Sequence, residues 1–329
     1  MIDLERLRDM RGLDHSEAYT IMCKMMSGAM SEIQMAAVLA SLNHRELQLD
    51  EIMGFRDAMM DHCERIDLGE SSCMDFCGTG GDGKDTFNIS TTSALTLGAM
   101  GIPVAKHGNY GVSSNCGSSN VLEALGYKFP RTAEEAKKRF ESHGLVFIHA
   151  PLFHPAMRHV APVRRAMGVR TIFNIMGPLS NPAQPSHQVS GTFDLRTQRL
   201  YSWSFERMGL EAAVVHGLDG YDEISLTSRT RVFSTRKHFA TLSVADFGTE
   251  ALEPASLRGA ETIEGNAAII RAVLSGEGRT AHNRVVAANA ALALEVWDPE
   301  CSMDLAFQRV LDFLRSGSAM DYLNTLIES

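Results

Sequence analysis

From Asp75 to Gly126 the chain reads DFCGTGGDGKDTFNIST and then, after a spacer, VAKHGNYGVSSNCGSSNVLEALG. A glycine-rich turn, a helix start rich in hydroxyls, a strand ending in a basic residue and a second loop of small residues follow one another. Consecutive glycines let backbone amides wrap an anion without a Cβ clash. Ser90, Thr91, Thr92 and Ser93 precede the apolar run ALTLGAMG, the composition expected where a helix N-terminus offers free amides to phosphate. The layout is that of a phosphate-binding site; the plainer alternative is a tight turn followed by an ordinary N-cap.

Two familiar motifs are imitated and both fail in context. Gly78, Gly80 and Gly83 satisfy G-x-G-x-x-G, but in a dinucleotide fingerprint the helix opens on the third glycine and an acid ends the next strand. Here Thr86 to Ser90 intervene and the next strand, IPVAK, ends in Lys106. Gly78 to Lys84 also reads G-x-x-x-x-G-K, yet Asp85 stands where a P-loop needs Ser or Thr for magnesium.

A length of 329 residues, with 44% hydrophobic and 22% charged residues, fits one large or two modest globular domains. No apolar run approaches a membrane span, and MIDLERLRDM is too charged for a signal peptide, so a cytoplasmic protein is expected. Cys23, Cys63, Cys73, Cys77, Cys116 and Cys301 fit no zinc spacing and read as reduced thiols. The net charge of −9 argues against a nucleic-acid partner and requires any phosphate site to be locally basic.

Residues 1–68 read as a small helical domain. Asp14 with Glu17 and Ser31 with Gln34 have capping-box spacing, Ile33, Ala36, Ala37, Ala40 and Leu42 fall near helical periodicity, and Gly28 is a plausible stop. From residue 69 to 329 short apolar strands alternate with helical segments, the signature of an α/β layer architecture. The strands are MDFC, IPVAK, LVFIHA, HQVSGTF and EAAVVHG, with an antiparallel ribbon in TRVFSTRKHFATLSVADFG. Helices are expected after Ser90, Gly117 and Thr132, from His154 to Met167, from Thr197 to Met208, and through the tail from Glu264. The boundary rests on the change of periodicity alone.

The motifs GTGGDG with TFNIST, KHGN, the small-residue loop before LEALG, HPAM with PVRR, RTIFN and MGPL before NPA, and VVHG before DGYDEIS resemble the anthranilate phosphoribosyltransferase family. They run in register over most of the chain. The resemblance implies a mostly parallel sheet, a segment near 154–176 that rejoins the helical domain, a ligand cleft between the domains, a homodimer through the helical domain, and no membrane partner. It also implies transfer of the phosphoribosyl group of 5-phosphoribosyl 1-pyrophosphate to the amine of anthranilate, with Mg2+ as cofactor, in the second step of tryptophan biosynthesis from chorismate.

Carried over residue by residue, Gly78, Thr79, Gly80, Gly81, Asp82, Thr86, Asn88, Ser90, Thr91, Lys106 and Ser118 would bind phosphoribosyl pyrophosphate. Gly78, His107, Asn109 and Arg164 would bind anthranilate, the arginine suiting a carboxylate because its planar fork meets both oxygens. Ser90, Asp222 and Glu223 would hold the metal, the two acids lying just after the strand EAAVVHG and the turn Asp219-Gly220. Without the resemblance, the acids read as a solvated pair, Arg164 as one of several helix charges and His107 as a satisfied core histidine. No nucleophile and base pair stands out, which suits direct attack by a neutral aromatic amine with catalysis by positioning and electrostatics.

The chain departs from the family's commoner form where Tyr110 follows KHGN in place of arginine and where Asn120 replaces aspartate. Both put the acceptor side and the loop geometry in question. The rival readings are a pyrimidine-nucleoside phosphorylase, whose glycine loop differs from FCGTGGDG, and a catalytically silent nucleic-acid-binding relative, which the acidic charge opposes.

Overall fold

The computed structural model describes residues 12–69, 72–111 and 116–328. It opens on α1 (His15–Met26), α2 (Glu32–Asn43) and α3 (Leu49–Asp61). Both capping boxes form: Asp14 accepts the Glu17 N–H while Glu17 accepts that of Asp14, and Ser31 with Gln34 does the same. Gly28 follows the C-cap Ser27 with φ of +72°, a stop that a side chain would strain.

The helical periodicity of Ile33 to Leu42 is realised as α2. The buried stripe is Met35, Val38, Leu39 and Leu42, whereas Ile33 is 84% exposed and Ala37 lies on the surface. Residues 33, 36, 37 and 40 share a face of their own, and packing rather than periodicity decides which face is covered.

The larger unit holds β1 (Met74–Phe76), α4 (Ile89–Ala99), β2 (Val104–Gly108), α5 (Ser118–Leu125), α6 (Ala133–His143) and β3 (Leu145–His149). The chain continues through α7 (Ala150–Phe153), α8 (Ala161–Met167), α9 (Phe173–Met176), β4 (His187–Gly191), α10 (Leu195–Met208), β5 (Glu211–Gly217), β6 (Thr230–Ser234) and β7 (His238–Leu242). Helices α11 (Ile263–Leu274), α12 (Thr280–Trp297), α13 (Met303–Arg315) and α14 (Ser318–Glu328) close it.

One seven-stranded sheet runs in the order β3-β2-β1-β4-β5-β6-β7. Its first five strands are parallel, and β6 and β7 add the expected antiparallel ribbon. The parallel strands are buried on both faces, which is why they read as near-continuous apolar runs. One core packs α4, α5 and α11 to α14 on the sheet; another joins α1 to α3 with residues of α8, α9, α10, β5 and β6.

The expected helix from His154 to Met167 is instead a 3-10 turn, Pro155–His159, followed by α8. Pro155 and Pro162 each remove an N–H and interrupt a continuous ladder. Val160, Val163, Ile172 and Phe173 share a core with α1 to α3.

Candidate active site

From β1 the chain builds β2 and β3 on one side and then crosses to β4 on the other, so β1 and β4 form a topological switch point. Open α/β sheets bind ligands outside the carboxyl ends of the strands at such a point. The loops after β1, β2, β4 and β5 carry most of the residues singled out above. They are pressed together: a Cβ on Gly191 would lie 1.6 Å from the carbonyl oxygen of Asp222, and one on Gly78 would lie 3.1 Å from that of Gly191.

In the loop after β1, Gly80, Gly81 and Gly83 have φ of 61°, 78° and 71°, turns that L side chains resist. Thr79 donates its N–H to Gly191 at 2.9 Å. Asp82 accepts the N–H of Lys84 at 3.0 Å and that of Asp222 at 3.3 Å, tying the first loop to the fourth. Arg170 donates to the Gly81 carbonyl at 2.7 Å, and Thr86 bridges to Arg258.

Helix α4 begins at Ile89 with Asn88 as its N-cap, so Ser90 and Thr91 stand in its first turn instead of preceding it. The Asn88 amide donates to Cys116 at 3.0 Å, which leaves Asn88 Oδ1 buried and unpartnered. Thr91 Oγ1 is in the same condition. Buried polar atoms without partners are uncommon and ask for an explanation.

Asp82, Asp222 and Glu223 crowd one place. Burial, then the charges of Asp82 and Glu223, pushes the Asp222 carboxyl well above its usual range. Burial raises Glu223 to about 7; Lys106 and the amide and hydroxyl of Ser90 act in the opposite direction, and Asp82 adds to the rise. Lys106 is itself buried and donates from Nζ to the carbonyl of Phe76.

Among the described residues no three His, Cys, Asp or Glu side chains are grouped to hold a metal by themselves. Half-buried carboxylates that resist ionising beside one another nevertheless fit a divalent cation. Magnesium in particular takes one or two carboxylates and fills its shell with water and substrate phosphate.

On the other flank, His107 Nδ1 contacts the Gly177 carbonyl at 3.1 Å. A carbonyl only accepts, so Nδ1 carries the hydrogen and Nε2 is a bare acceptor, buried and unpartnered. Burial, with His154 at a ring-centroid distance of 5.4 Å, lowers the His107 pKa to about 3 and keeps the ring neutral. The Asn109 carbonyl accepts the Ser118 hydroxyl at 3.3 Å and the Ser119 N–H at 3.1 Å.

Arg164 lies apart from these contacts, on α8, with its guanidinium 5.3 Å from the centre of the Phe173 ring. Burial lowers its pKa, and it has no acidic partner among the described residues.

The two departures prove locally satisfied. Asn120 Oδ1 accepts the N–H groups of Gly111 and Gly117, both at 3.0 Å, a role that needs an oxygen and no charge. Tyr110 donates its hydroxyl to Glu123 at 2.8 Å and sets its ring edge against His149 at 4.6 Å.

Sequence reasoning missed Asp75, which is fully buried and accepts the His107 N–H at 3.1 Å and the Asn181 amide at 2.9 Å. A carboxylate inside the apolar strand MDFC was the available signal. It also missed Arg170 and Thr171, whose buried Oγ1 has no partner. A concavity of about 460 Å³ near Arg65, Cys73 and Ser186 lies at the amino ends of β1 and β4, away from these loops.

Two family descriptions match: a glycosyl transferase family helical bundle domain over residues 4–63 and a glycosyl transferase family a/b domain over 70–320. The anthranilate phosphoribosyltransferase of Flavobacterium johnsoniae is 41% identical over 99% of this chain and 98% of its own length. That of Cytophaga hutchinsonii is 42% identical over 97% of each. The crystal structure of anthranilate phosphoribosyltransferase from Thermus thermophilus superposes with a TM-score of 0.93 at 35% identity, covering 100% of this chain and 99% of that one. The fold recurs in the Saccharomyces cerevisiae enzyme in complex with PRPP and Mg, with a TM-score of 0.90 at 24% identity over 99% and 96% of the chains. With full-length relatives at this identity and both domain descriptions matched in order, the chain belongs to the anthranilate phosphoribosyltransferase family.

Proposed function

We propose that this enzyme transfers the phosphoribosyl group of 5-phosphoribosyl 1-pyrophosphate to the amine of anthranilate, releasing pyrophosphate. The observation that carries the reading is the set of buried, unpartnered polar atoms Asn88 Oδ1, Thr91 Oγ1 and His107 Nε2 on loops that also bring Lys106, Asp222 and Glu223 together. A protein keeps such atoms dry and unpaired where a ligand completes them.

In this reading the amides of Gly78 to Asp82, the first turn of α4 with Asn88, Ser90 and Thr91, and Thr86, Lys106 and Ser118 hold the phosphates and ribose. Asp222, Glu223 and Ser90 hold magnesium, which when bound neutralises the leaving pyrophosphate. Arg164 takes the anthranilate carboxylate with both arms of its fork, while Asn109 and Gly78 border the ring. The neutral Nε2 of His107 accepts a hydrogen from the amine and orients its lone pair toward C1 of the ribose. Preorganised dipoles around a developing oxocarbenium ion supply the rate, without a covalent intermediate.

The units divide near residue 68. The exposed α2 face of Ile33 and Ala37 supports a homodimer through the helical domain. A cytoplasmic setting agrees with free cysteines and with the absence, among the described residues, of a helix long and apolar enough to cross a membrane. The test is incubation with phosphoribosyl pyrophosphate, magnesium and anthranilate, following loss of anthranilate fluorescence and release of pyrophosphate. No turnover there, together with phosphorolysis of a pyrimidine nucleoside, would replace this reading by the phosphorylase one.

A further inference from the structure

From Ile175 to Ser180 the end of α9 runs into a 3-10 turn, Gly177–Leu179, and the carbonyls of this strap are taken by side chains. Six in succession are taken: Ile175 by the Tyr201 hydroxyl at 2.6 Å, Met176 by Ser180 Oγ at 2.8 Å, Gly177 by His107 at 3.1 Å, Pro178 by the Gln188 amide at 2.7 Å, Leu179 by Arg56 Nε at 3.1 Å and Ser180 by His154 at 2.9 Å. The donors outside the strap come from α10, β2, β4, α3 and the turn before α8. Such saturation leaves the strap one arrangement.

Arg56 is the donor from the N-terminal helices. Its guanidinium divides its work: NH1 pairs with Asp57 at 2.8 Å, and Nε reaches across to the strap. The Arg56 side chain is 16% exposed and that of Asp57 38%, so the guanidinium is mostly covered while its acidic partner still meets water. Two residues before the Leu179 carbonyl, that of Gly177 fixes the tautomer and orientation of His107.

We propose that Arg56 is a positioning residue for the aromatic acceptor: by anchoring the Leu179 carbonyl it holds the strap that aims His107 Nε2, and so links the helical unit to the acceptor side of the site. The proposal rests on the reading of His107 as the group that meets the amine. Lysine cannot replace the arginine, since one ammonium on a flexible stem cannot hold Asp57 and the carbonyl in fixed planar directions.

The test is steady-state kinetics on the full-length enzyme, with each substrate varied, for Arg56→Lys, Asp57→Asn, His107→Ala and the double variant Arg56→Lys/His107→Ala. Arg56→Lys should raise KM for anthranilate roughly threefold to tenfold, the scale of one hydrogen bond, with KM for phosphoribosyl pyrophosphate changed less than about twofold. Asp57→Asn, which spares the Nε bond, should leave both within about twofold. In the His107→Ala background Arg56→Lys should add nothing, because the two act through one ring.

Additive effects in the double variant, or equal rises in both KM values, would overturn the proposal and make Arg56 structural. An unchanged anthranilate KM in His107→Ala would instead overturn the reading of His107 on which the proposal stands. Should Arg56→Lys fail to fold, Gln188→Met, which cuts the neighbouring Pro178 tie, must give the same split and the same lack of additivity; uniform loss for both substrates there overturns the proposal equally.

Discussion

Asp82 and Asp222, 140 residues apart in the chain, are joined by a hydrogen bond in which the Asp222 N–H donates to Asp82 Oδ2 at 3.3 Å. The glycine loop and the acidic loop are therefore one structure. A change in the position of either is felt by the other.

Replacing Asp222 by Asn and Glu223 by Gln together should abolish most of the magnesium-dependent rate and leave the fold intact. The changes keep the side-chain shapes and remove charges that repel one another. The measurement is rate against magnesium concentration, alongside a thermal melt. A folded double variant with unaltered magnesium dependence would return the acids to the role of surface charges.

Arg164→Ala should raise KM for anthranilate more than that for phosphoribosyl pyrophosphate. Loss of a charge-assisted hydrogen bond costs about 1.5 to 3 kcal/mol, or roughly 10- to 150-fold. Equal loss for both substrates would leave Arg164 as a packing partner of Phe173.

Tyr110→Phe should retain activity within about threefold, because the hydroxyl bond to Glu123 is solvent-exposed and worth about 1 kcal/mol while the ring stays against His149. Tyr110→Arg should give no large gain, since Glu123 would engage the guanidinium as it now engages the phenol. Kinetics with both substrates varied decide the matter. A tenfold rise in kcat/KM for the arginine variant would show that the natural site is impaired.

The ligand-free protein should lose stability as pH rises from about 6.5 to 8. Glu223 has its folded-state pKa raised to about 7 and Asp222 is likewise raised well above its usual range, so through this window the native state binds more protons than the unfolded chain and stability falls with pH. His107, lowered to about 3, acts oppositely but only below its unfolded value near 6.5. Thermal melts across this range should show the decline in the native chain and a flatter profile in Glu223→Gln. A rising or flat profile in the native chain would contradict the clustering of charge.

The parallel sheet and the tight glycine turns after β1 could be read in advance because short buried strands and consecutive glycines leave direct traces in sequence. The strap could not. Its determinants, Tyr201, Gln188, Arg56 and His154, are scattered over several elements, and each looks like an ordinary helix or strand residue until the fold sets it against a carbonyl. Asn120 shows the same limit from the other side: the substitution suggested altered loop geometry, whereas the retained oxygen is what the two glycine amides require. Which face of α2 is covered was not legible, because two helical faces carry apolar residues and only tertiary packing selects between them.

Strand β1 spans only Met74–Phe76, yet it sits between β2 and β4. It pairs with β4 along its whole length, Met74 opposite His187 and Phe76 opposite Val189, and just past its end the Ser190 hydroxyl donates to the carbonyl of Cys77, 113 positions away. During synthesis, one edge of β1 must therefore remain open while all of α4 to α9 is made. An open apolar strand is a template for pairing with a neighbouring nascent chain. A strand this short, with the carboxylate of Asp75 at its centre, is a poor template, so the residue that later braces His107 also protects the unfinished chain from aggregation.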